Sequence, residues 1–409
     1  MASPIARSRR SRVEFTTILA LAMALSALGI DVMLPAFADI RTGFGLPSDS
    51  TAVARIVTSY FFGLAVGQAF YGPFADRFGR KPVLYVGFSI YAAGALLSTF
   101  APSLGLLLLF RFFWGLGAAG ARVIVLSMVR DSWSGDQMAR AMSFIMAIFV
   151  LVPVVAPSLG AAIVAILDWR WVFAFCAVYV SAMAVWARRL PETLHPEFRL
   201  DRLRLDRIVR AARLVLTNRL TMGYTFALTA LFGVFTSYLA SSEILFSETF
   251  GRGDQFPVIF GVLAAIMGAA MLTNGAVVSR LGVRRLVHGV LLAYVVAAAI
   301  LALWVLSHDG RPPFLPFTAG LAVMLVMHAL LIPNVNTVAM DPMGEVAGTA
   351  AAVIGTISTA VGALFGSMLD ASFDGTVTPI SLGFAGFGVA ALALVTWAER
   401  GRLFRRLGR

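Results

Sequence analysis

Charged residues are scarce in this chain of 409 residues: they make up 13% of the sequence, whereas apolar residues make up 59%. A soluble domain carries about 25% charged residues. The apolar residues fall in long continuous runs, and a run of about 20 such residues can cross a bilayer as a helix. The composition therefore excludes an ordinary soluble domain and predicts an all-α integral membrane protein.

Cysteine is nearly absent, since Cys176 is the only one in the sequence. A single cysteine excludes a disulfide framework and a cysteine-based metal site. The sequence also lacks a glycine-rich phosphate loop followed by Lys-Ser/Thr, a metal-binding His/Glu spacing and a nucleophile motif. We therefore expect no cofactor, no bound metal and no enzyme. An integral-membrane enzyme, the hypothesis from another class, would need a reactive cluster at a membrane face.

Twelve apolar runs are long enough to span a membrane, six on each side of a polar interval. They cover residues 15–38, 53–75, 82–101, 104–128, 138–166, 169–189, 220–246, 255–279, 284–306, 313–339, 346–370 and 376–398. The pattern predicts an N-terminal six-helix bundle at residues 1–189 and a C-terminal six-helix bundle at residues 220–409. Residues 190–219 form a basic linker between them.

The positive charges behind the net charge of +12 are distributed unevenly among the gaps that separate the apolar runs. Counting from the N-terminus, alternate gaps and tails hold 26 of the 33 Lys and Arg residues, and the opposite gaps hold 5. Because basic residues accumulate in cytoplasmic loops, both termini are predicted to be cytoplasmic. The same bias explains the basic linker, which suits anionic lipid better than nucleic acid. The strong preference for Arg over Lys suggests a GC-rich bacterial source, and we expect the protein in the bacterial inner membrane.

A short charged turn separates the second and third apolar runs, and it returns 203 residues later at Gly275–Arg285. A charged turn that recurs once per half predicts two copies of one helical unit, which is the architecture of a secondary transporter. The first copy contains a set of glycines and charges that we expect to form a gate: Gly72, Asp76, Arg77, Gly79, Arg80 and Lys81.

The chain resembles the major facilitator superfamily, and within it the Bcr/CflA drug:H⁺ antiporters, which include chloramphenicol and florfenicol exporters. The resemblance covers the whole chain. It rests on Gly72–Leu84 (motif A), Arg111–Ala119 (motif B), Ala156–Ala161 (the antiporter motif), Asp31–Pro35, Met128–Asp131 and Gly348–Ala351. It implies two pseudo-symmetric six-helix bundles, with spans one and four lining a central cavity, and exchange of a drug for protons.

Four positions depart from the family pattern. Trp114 stands where motif B has Gln, and Ala156 and Ala161 replace the first and the last glycine of the antiporter motif. Ser279 replaces the acidic residue in the second copy of motif A. The last difference suggests that the N-terminal copy does more of the gating.

Two arginines lie inside the fourth span, where a charge is costly unless it is paired or wetted. Arg111 and Arg122 are eleven residues apart and therefore project from nearly one helix face. Asp31 and Arg111 each lie about 10 Å from the outer end of their spans. We expect Asp31 to be the main proton-coupling acid, Arg111 to tune it, and Arg122 to contact substrate. Alternatively, Asp31 reaches the outer headgroups and Arg111 only packs helices.

Several other residues in the spans are candidates for contacts with protons or cargo. Glu243 is a second proton site or a residue of the cavity mouth, unless it is simply solvated. Aromatic and amide side chains suit bulky, partly apolar cargo, although packing against lipid or other helices is the ordinary role of such residues. The candidate substrate-binding residues, besides Arg122, are Trp114, Tyr60, Tyr238, His328, Asn334 and Asn336.

Two segments have predicted mechanical roles. Pro153, Pro157 and Gly160 bend the fifth span, and in the resembling antiporters this segment contacts the eighth span and limits leak. In motif A, we expect Asp76 to accept from Arg80 and to lie near the positive N-terminus of the eleventh helix when the transporter is outward-open. The alternatives are an ordinary proline kink and a basic turn that only sets topology.

The sequence as a whole favours a monomeric exporter that exchanges small amphiphilic compounds for protons in a lipid bilayer. A carrier of an endogenous metabolite is the alternative, and the two buried arginines would favour an anionic one.

Overall fold

The computed structural model describes residues 9–200 and 205–404, and the regular elements in these ranges are all helical. Parts of the predicted basic tails and linker (residues 1–8, 201–204 and 405–409) lie outside the described residues. The α-helices are α1 Arg9–Asp31, α2 Phe37–Gly43, α3 Arg55–Phe78, α4 Arg80–Thr99, α5 Leu104–Ser132, α6 Gly135–Val164, α7 Arg170–Trp186, α8 Leu205–Thr217, α9 Arg219–Ile244, α10 Phe256–Leu281, α11 Val283–Leu306, α12 Phe314–Met340, α13 Ala347–Asp370 and α14 Thr378–Ala398.

Eleven segments of the described chain are long and apolar enough to cross a membrane. The longest, Phe314–Asp370, has 57 residues and contains both α12 and α13, joined by a 3-10 turn at Asp341–Val346. Separating these two helices gives twelve crossings. The predicted all-α membrane fold is therefore confirmed. Helix α8, which is amphipathic, lies in the interval that the sequence assigned to the linker.

The first span is interrupted at residues 32–36, between α1 and α2, which hydropathy alone did not predict. α1 ends at Asp31, a 3-10 turn covers Leu34–Ala36, and α2 begins at Phe37. Pro35 has no backbone N–H, so the carbonyl of Asp31 loses the donor that a continuous helix would supply. The break therefore falls directly after Asp31, which is the only acidic residue of the apolar run at residues 15–38.

The chain divides into two compact units. One, called here the N-terminal unit, contains residues 1–48 and 59–205, and the other, the C-terminal unit, contains residues 49–58 and 206–409. The predicted bundle boundaries at residues 189 and 220 stay a prediction.

Glycines allow the helices of the N-terminal unit to touch through their backbones. Gly115 on α5 lies against the Tyr60 carbonyl of α3, and Gly117 lies against the backbone of Tyr91 on α4. A Cβ atom at either glycine would overlap main-chain atoms of the facing helix. Close contact between small residues is the usual way in which membrane helices associate, because lipid gives them little hydrophobic driving force.

Gly115→Ala is therefore expected to destabilise the protein by about 1–3 kcal/mol, the usual cost of an overpacked core. Gly105→Ala is the matched control, since it lies on the same helix and a Cβ atom there meets no other atom within 4 Å. The apparent unfolding temperature in detergent measures the effect. Equal unfolding temperatures for the two variants would contradict the packing argument.

Candidate functional site

Asp31 is buried in the N-terminal unit, with 3% of its surface exposed. It is the last residue of α1, next to the turn that Pro35 imposes. Helix breaks within membrane spans place backbone polar groups and ionisable side chains together in the interior. Asp31 is thus not a residue at the membrane surface but an acid inside the bundle.

Arg111 on α5 is also fully buried, and two aromatic rings cover its guanidinium. Its Cζ atom lies 4.5 Å from the centre of the Tyr60 ring and 4.4 Å from the Trp114 ring. The negative face of an aromatic ring attracts a cation, and this attraction is stronger away from water. Tyr60 and Trp114, which the sequence offered as substrate contacts, are fully buried and contact Arg111 instead of solvent.

Tyr60 connects the predicted charged residues of the N-terminal unit. It lies within electrostatic range of Asp31, Arg111 and Arg122. Its hydroxyl donates to the carbonyl of Ser26 on α1 at 3.0 Å, which fixes the ring against the helix that carries Asp31. Asp31, Tyr60, Arg111, Trp114 and Arg122 are called here the buried charge cluster.

The predicted kink segment packs directly beside this cluster. α6 contains Pro153 and Pro157, and Gly160 lies against the Val32 carbonyl at the break in the first span. A side chain at Gly160 would overlap that carbonyl. The sequence predicted the kink but not this contact with the first span.

Motif A forms a network of ionic hydrogen bonds at the junction of α3 and α4. The Arg80 guanidinium donates to Asp76 at 2.5 Å and to Asp131, at the end of α5, at 2.8 Å. Only 6% of the Arg80 side chain is exposed, compared with 46% for Asp76. The predicted bond from Arg80 to Asp76 is present, and Asp131 adds a second acid from a distant part of the chain.

Glu192, which follows α7, caps the start of α4. Its carboxylate accepts from the backbone N–H groups of Arg80 at 2.9 Å and Lys81 at 3.1 Å. A carboxylate is favourable at a helix N-terminus because the first N–H groups have no partner within the helix. Gly79 has φ 101° and a side chain there would collide with Glu192, so this position requires glycine.

The remaining residues of motif A have other surroundings. The Lys81 ammonium donates to the carbonyls of Arg188 and Leu190, and the Arg77 guanidinium lies over the Phe78 ring. Gly72 is in open surroundings, because a Cβ atom added there would meet no other atom within 4 Å. We call Asp76, Arg80, Lys81, Asp131 and Glu192 the motif A network.

In the second copy of motif A, a basic residue pairs with acids at two other helix ends. Arg284 lies 3.1 Å from Asp341, which follows α12, and 3.7 Å from Glu399, which follows α14. Glu399 also accepts from the Tyr224 hydroxyl at 2.9 Å. Asp341 follows α12 as Asp131 ends α5, so both copies bind a basic residue through an acid at a neighbouring helix end.

Three candidate residues on α12 have protein partners or are exposed. The His328 ring nitrogens lie 3.1 Å and 3.3 Å from the carbonyls of Leu231 and Met324. Asn334 donates to Asn274 on α10 at 2.7 Å, and Asn336 is exposed. His328 and Asn334 thus show the contacts of packing residues, which the sequence left open as an alternative.

Glu243 and Tyr238 are both buried on α9. The sequence placed Glu243 three residues from the end of its span, but the helix continues through a π-helical turn to Thr249. The carboxylate therefore lies inside the unit and accepts from Ser247 at 3.4 Å. Tyr238 stacks on Phe260 with parallel rings 5.8 Å apart.

Asp370 is a buried acid that the sequence did not single out. It is the last residue of α13, and its Oδ1 atom accepts from Ser237 and from Ser241 on α9, each at 2.6 Å. At the end of an apolar run, Asp370 has the sequence pattern of a surface residue.

The sequence also did not identify Asp131 and Glu192 as partners of Arg80. They lie 51 and 112 residues away from it along the chain.

Within residues 9–200 and 205–404, twelve apolar crossings in two units, buried acids and arginines within the spans, and a repeated charged turn define a multi-pass membrane transporter. The sequence profile of the Major Facilitator Superfamily matches residues 19–367. The chain belongs to this family. It is a transporter and not an enzyme, as the sequence predicted.

Among curated proteins, the chain is 30% identical to the bicyclomycin resistance protein homolog of Haemophilus influenzae, over 91% of this chain and 92% of that protein. It is 27% identical to the chloramphenicol resistance protein of Pseudomonas aeruginosa, over 84% and 82% of the two chains. Among solved structures, the chain is similar to the crystal structure of a D-xylose-proton symporter. The match covers 96% of this chain and 100% of the symporter chain, with a TM-score of 0.76 at 15% identity. This last likeness concerns the fold alone.

Proposed function

We propose that this chain exports small amphiphilic drugs in exchange for protons. It would work by alternating access in a bacterial inner membrane, as a monomer with both termini in the cytoplasm. Its relatives are named for resistance to bicyclomycin and chloramphenicol, which supports a drug as cargo. The uneven distribution of arginines supports the orientation.

The observation that carries the proposal is Asp31, an acid buried at a helix break within electrostatic reach of the same tyrosine as Arg111 and Arg122. A carboxylate can take up and release a proton, whereas arginine keeps its charge. In this role Asp31 binds the proton, and Arg111, held by Tyr60 and Trp114, favours its release. Arg122 is partly exposed and is the member of the cluster that reaches cargo. Glu243 remains a candidate second proton site.

The motif A network is proposed as part of the gate. Arg80 joins the end of α3 to the end of α5, and Glu192 fixes the start of α4. These bonds hold the end of α3, the start of α4 and the end of α5 together. Asp76 is only half-buried, and its contact with the start of the eleventh crossing helix stays a prediction.

A carrier of an anionic metabolite is the second candidate, and the two arginines within α5 favour it. A susceptibility panel separates the two functions. The chain is expressed in an exporter-deficient bacterial host, and growth is measured in chloramphenicol, bicyclomycin and other amphiphilic compounds. We expect raised resistance that a protonophore abolishes. Unchanged susceptibility to every compound, with the protein present in the membrane, would favour the metabolite carrier.

A further inference from the structure

Asp370 has hydrogen-bond partners but no ionic partner among the described residues. Its Oδ1 atom accepts from both Ser237 and Ser241, which are one helical turn apart on α9. Only 4% of the residue is exposed. Its Oδ2 atom makes no hydrogen bond to the part of the chain that the structure describes. The two oxygens of one buried carboxyl group therefore have very different surroundings.

The packing of α9 against α13 fixes this arrangement. Gly366 on α13 lies against the side chain of Thr236 and the backbone of Gly233 on α9. Gly362, one turn earlier, lies against Phe232 and the Thr229 carbonyl. Larger residues would push the helices apart. Because the backbones touch there, the next turn of α13 brings Asp370 within hydrogen-bond distance of the two serines.

No positive charge compensates Asp370 within residues 9–200 and 205–404. No Lys, Arg or His side chain of these ranges lies within 4 Å of it, and only the two serines interact with its carboxyl group. The neighbouring helix α14 and the turn at residues 51–54 carry no ionisable residue. The ionisable residues of the other elements packed on α13 are Tyr238 and Glu243 on α9, His328 on α12, and, towards the opposite end of α13, Arg219 and Tyr224 on α9 with Asp341 and Glu345.

We infer that Asp370 is a second proton-binding carboxylate of the transport cycle, located in the C-terminal unit; this inference rests on the proton coupling proposed above. The proton adds to Oδ2, and Oδ1 accepts from the two serines before and after the step. The site can thus change its charge by one without losing a hydrogen bond. A buried carboxylate is costly without a neighbouring cation, whereas a buried neutral carboxylic acid that keeps its hydrogen bonds from the two serines is not.

A purely structural role would not need an acid. Asparagine has nearly the same shape, and its carbonyl oxygen accepts from two hydroxyl groups without burying a charge. Asp370→Asn therefore keeps both bonds from Ser237 and Ser241 and removes only the exchange of a proton. This makes it a clean variant for the test.

The first experiment records infrared spectra of the purified full-length protein during a pH titration, without any drug. Wild type is expected to show a carboxylic acid carbonyl band that appears with acidification and is missing in Asp370→Asn. Asp254→Asn, an exposed acid in the same unit, is the matched control and should keep that band. Identical titration spectra of wild type and Asp370→Asn would overturn the assignment.

A double variant covers the case in which Asp370→Asn does not fold. Ser237→Ala with Ser241→Ala keeps the acid and removes both donors, so the same band should move to a different frequency and titrate at a different pH. A band that neither moves nor titrates differently would show that it comes from another acid, which contradicts the assignment.

The second experiment counts protons moved per chloramphenicol molecule in proteoliposomes. We expect Asp370→Asn to move one proton fewer than wild type, and Asp370→Glu to restore the wild-type count. An unchanged count in Asp370→Asn would overturn the role in transport. If wild type itself moved chloramphenicol without protons, the proposed function would fail, and the infrared titration would still decide whether Asp370 binds a proton.

Discussion

Replacing Asp31 by asparagine is expected to reduce drug resistance to the level of cells that lack the transporter. Asparagine has nearly the same shape but cannot take up or release a proton. Asp31 is buried at the helix break and forms no ion pair with the described residues, so a neutral side chain there removes the cost of burying a charge and the variant should fold at least as well as wild type. Asp31→Glu keeps the acid and should retain part of the activity.

The effect of Asp31→Asn is measured as the inhibitory concentration of chloramphenicol, with the amount of protein in the membrane determined in parallel. Asp39→Asn is the matched control, since Asp39 lies on α2, just after the helix break, but is exposed. Wild-type resistance in Asp31→Asn, at equal protein level, would remove Asp31 from the mechanism.

Arg80→Ala is expected to have the largest effect on stability. The substitution removes the guanidinium group that pairs with both Asp76 and Asp131. The Asp131 side chain, which is 20% exposed, would keep the hydrogen bond from the Thr193 hydroxyl but lose its ionic partner. Removing one partner of a buried ion pair costs about 3–5 kcal/mol. Since Asp76 is half-exposed, we expect the loss to lie near the lower value. Resistance should fall with stability, because the same network is the proposed gate.

Thermal unfolding in detergent tests the Arg80 prediction. Arg140→Ala removes the same charge from an exposed position on α6 and should unfold like wild type. Arg80→Lys keeps the charge but cannot donate to both acids from separate nitrogens, so an intermediate unfolding temperature is expected. If Arg80→Ala and Arg140→Ala unfold at the same temperature, the network does not hold the helix ends together.

The helices were predictable because a membrane span needs a long apolar run, and such runs are visible in the sequence. The starts and ends of most spans, such as α4 at Arg80 and α9 at Arg219, lie within a few residues of the prediction. The break after Asp31 was not predicted, because the apolar run continues through it and only Pro35 marks it. The span containing Glu243 is longer than predicted, since a π-helical turn prolongs the helix.

Contacts within the site were predictable only where the two residues are close in sequence. Asp76 and Arg80 are four residues apart on successive helices, and their bond was expected. Asp131 and Glu192 reach Arg80 through tertiary packing, which no local pattern reveals. Asp370 was missed for a similar reason: its burial depends on glycines that let α9 and α13 touch, and the serines that bind it lie on a helix far away in the sequence.

The most direct test of the central claim is chloramphenicol transport by the purified protein in liposomes with an imposed pH gradient. Drug should accumulate against its own gradient when protons flow the opposite way, the accumulation should vanish when a protonophore is added, and Asp31→Asn should show none. Chloramphenicol movement at a rate that does not depend on the pH gradient would contradict proton-coupled export.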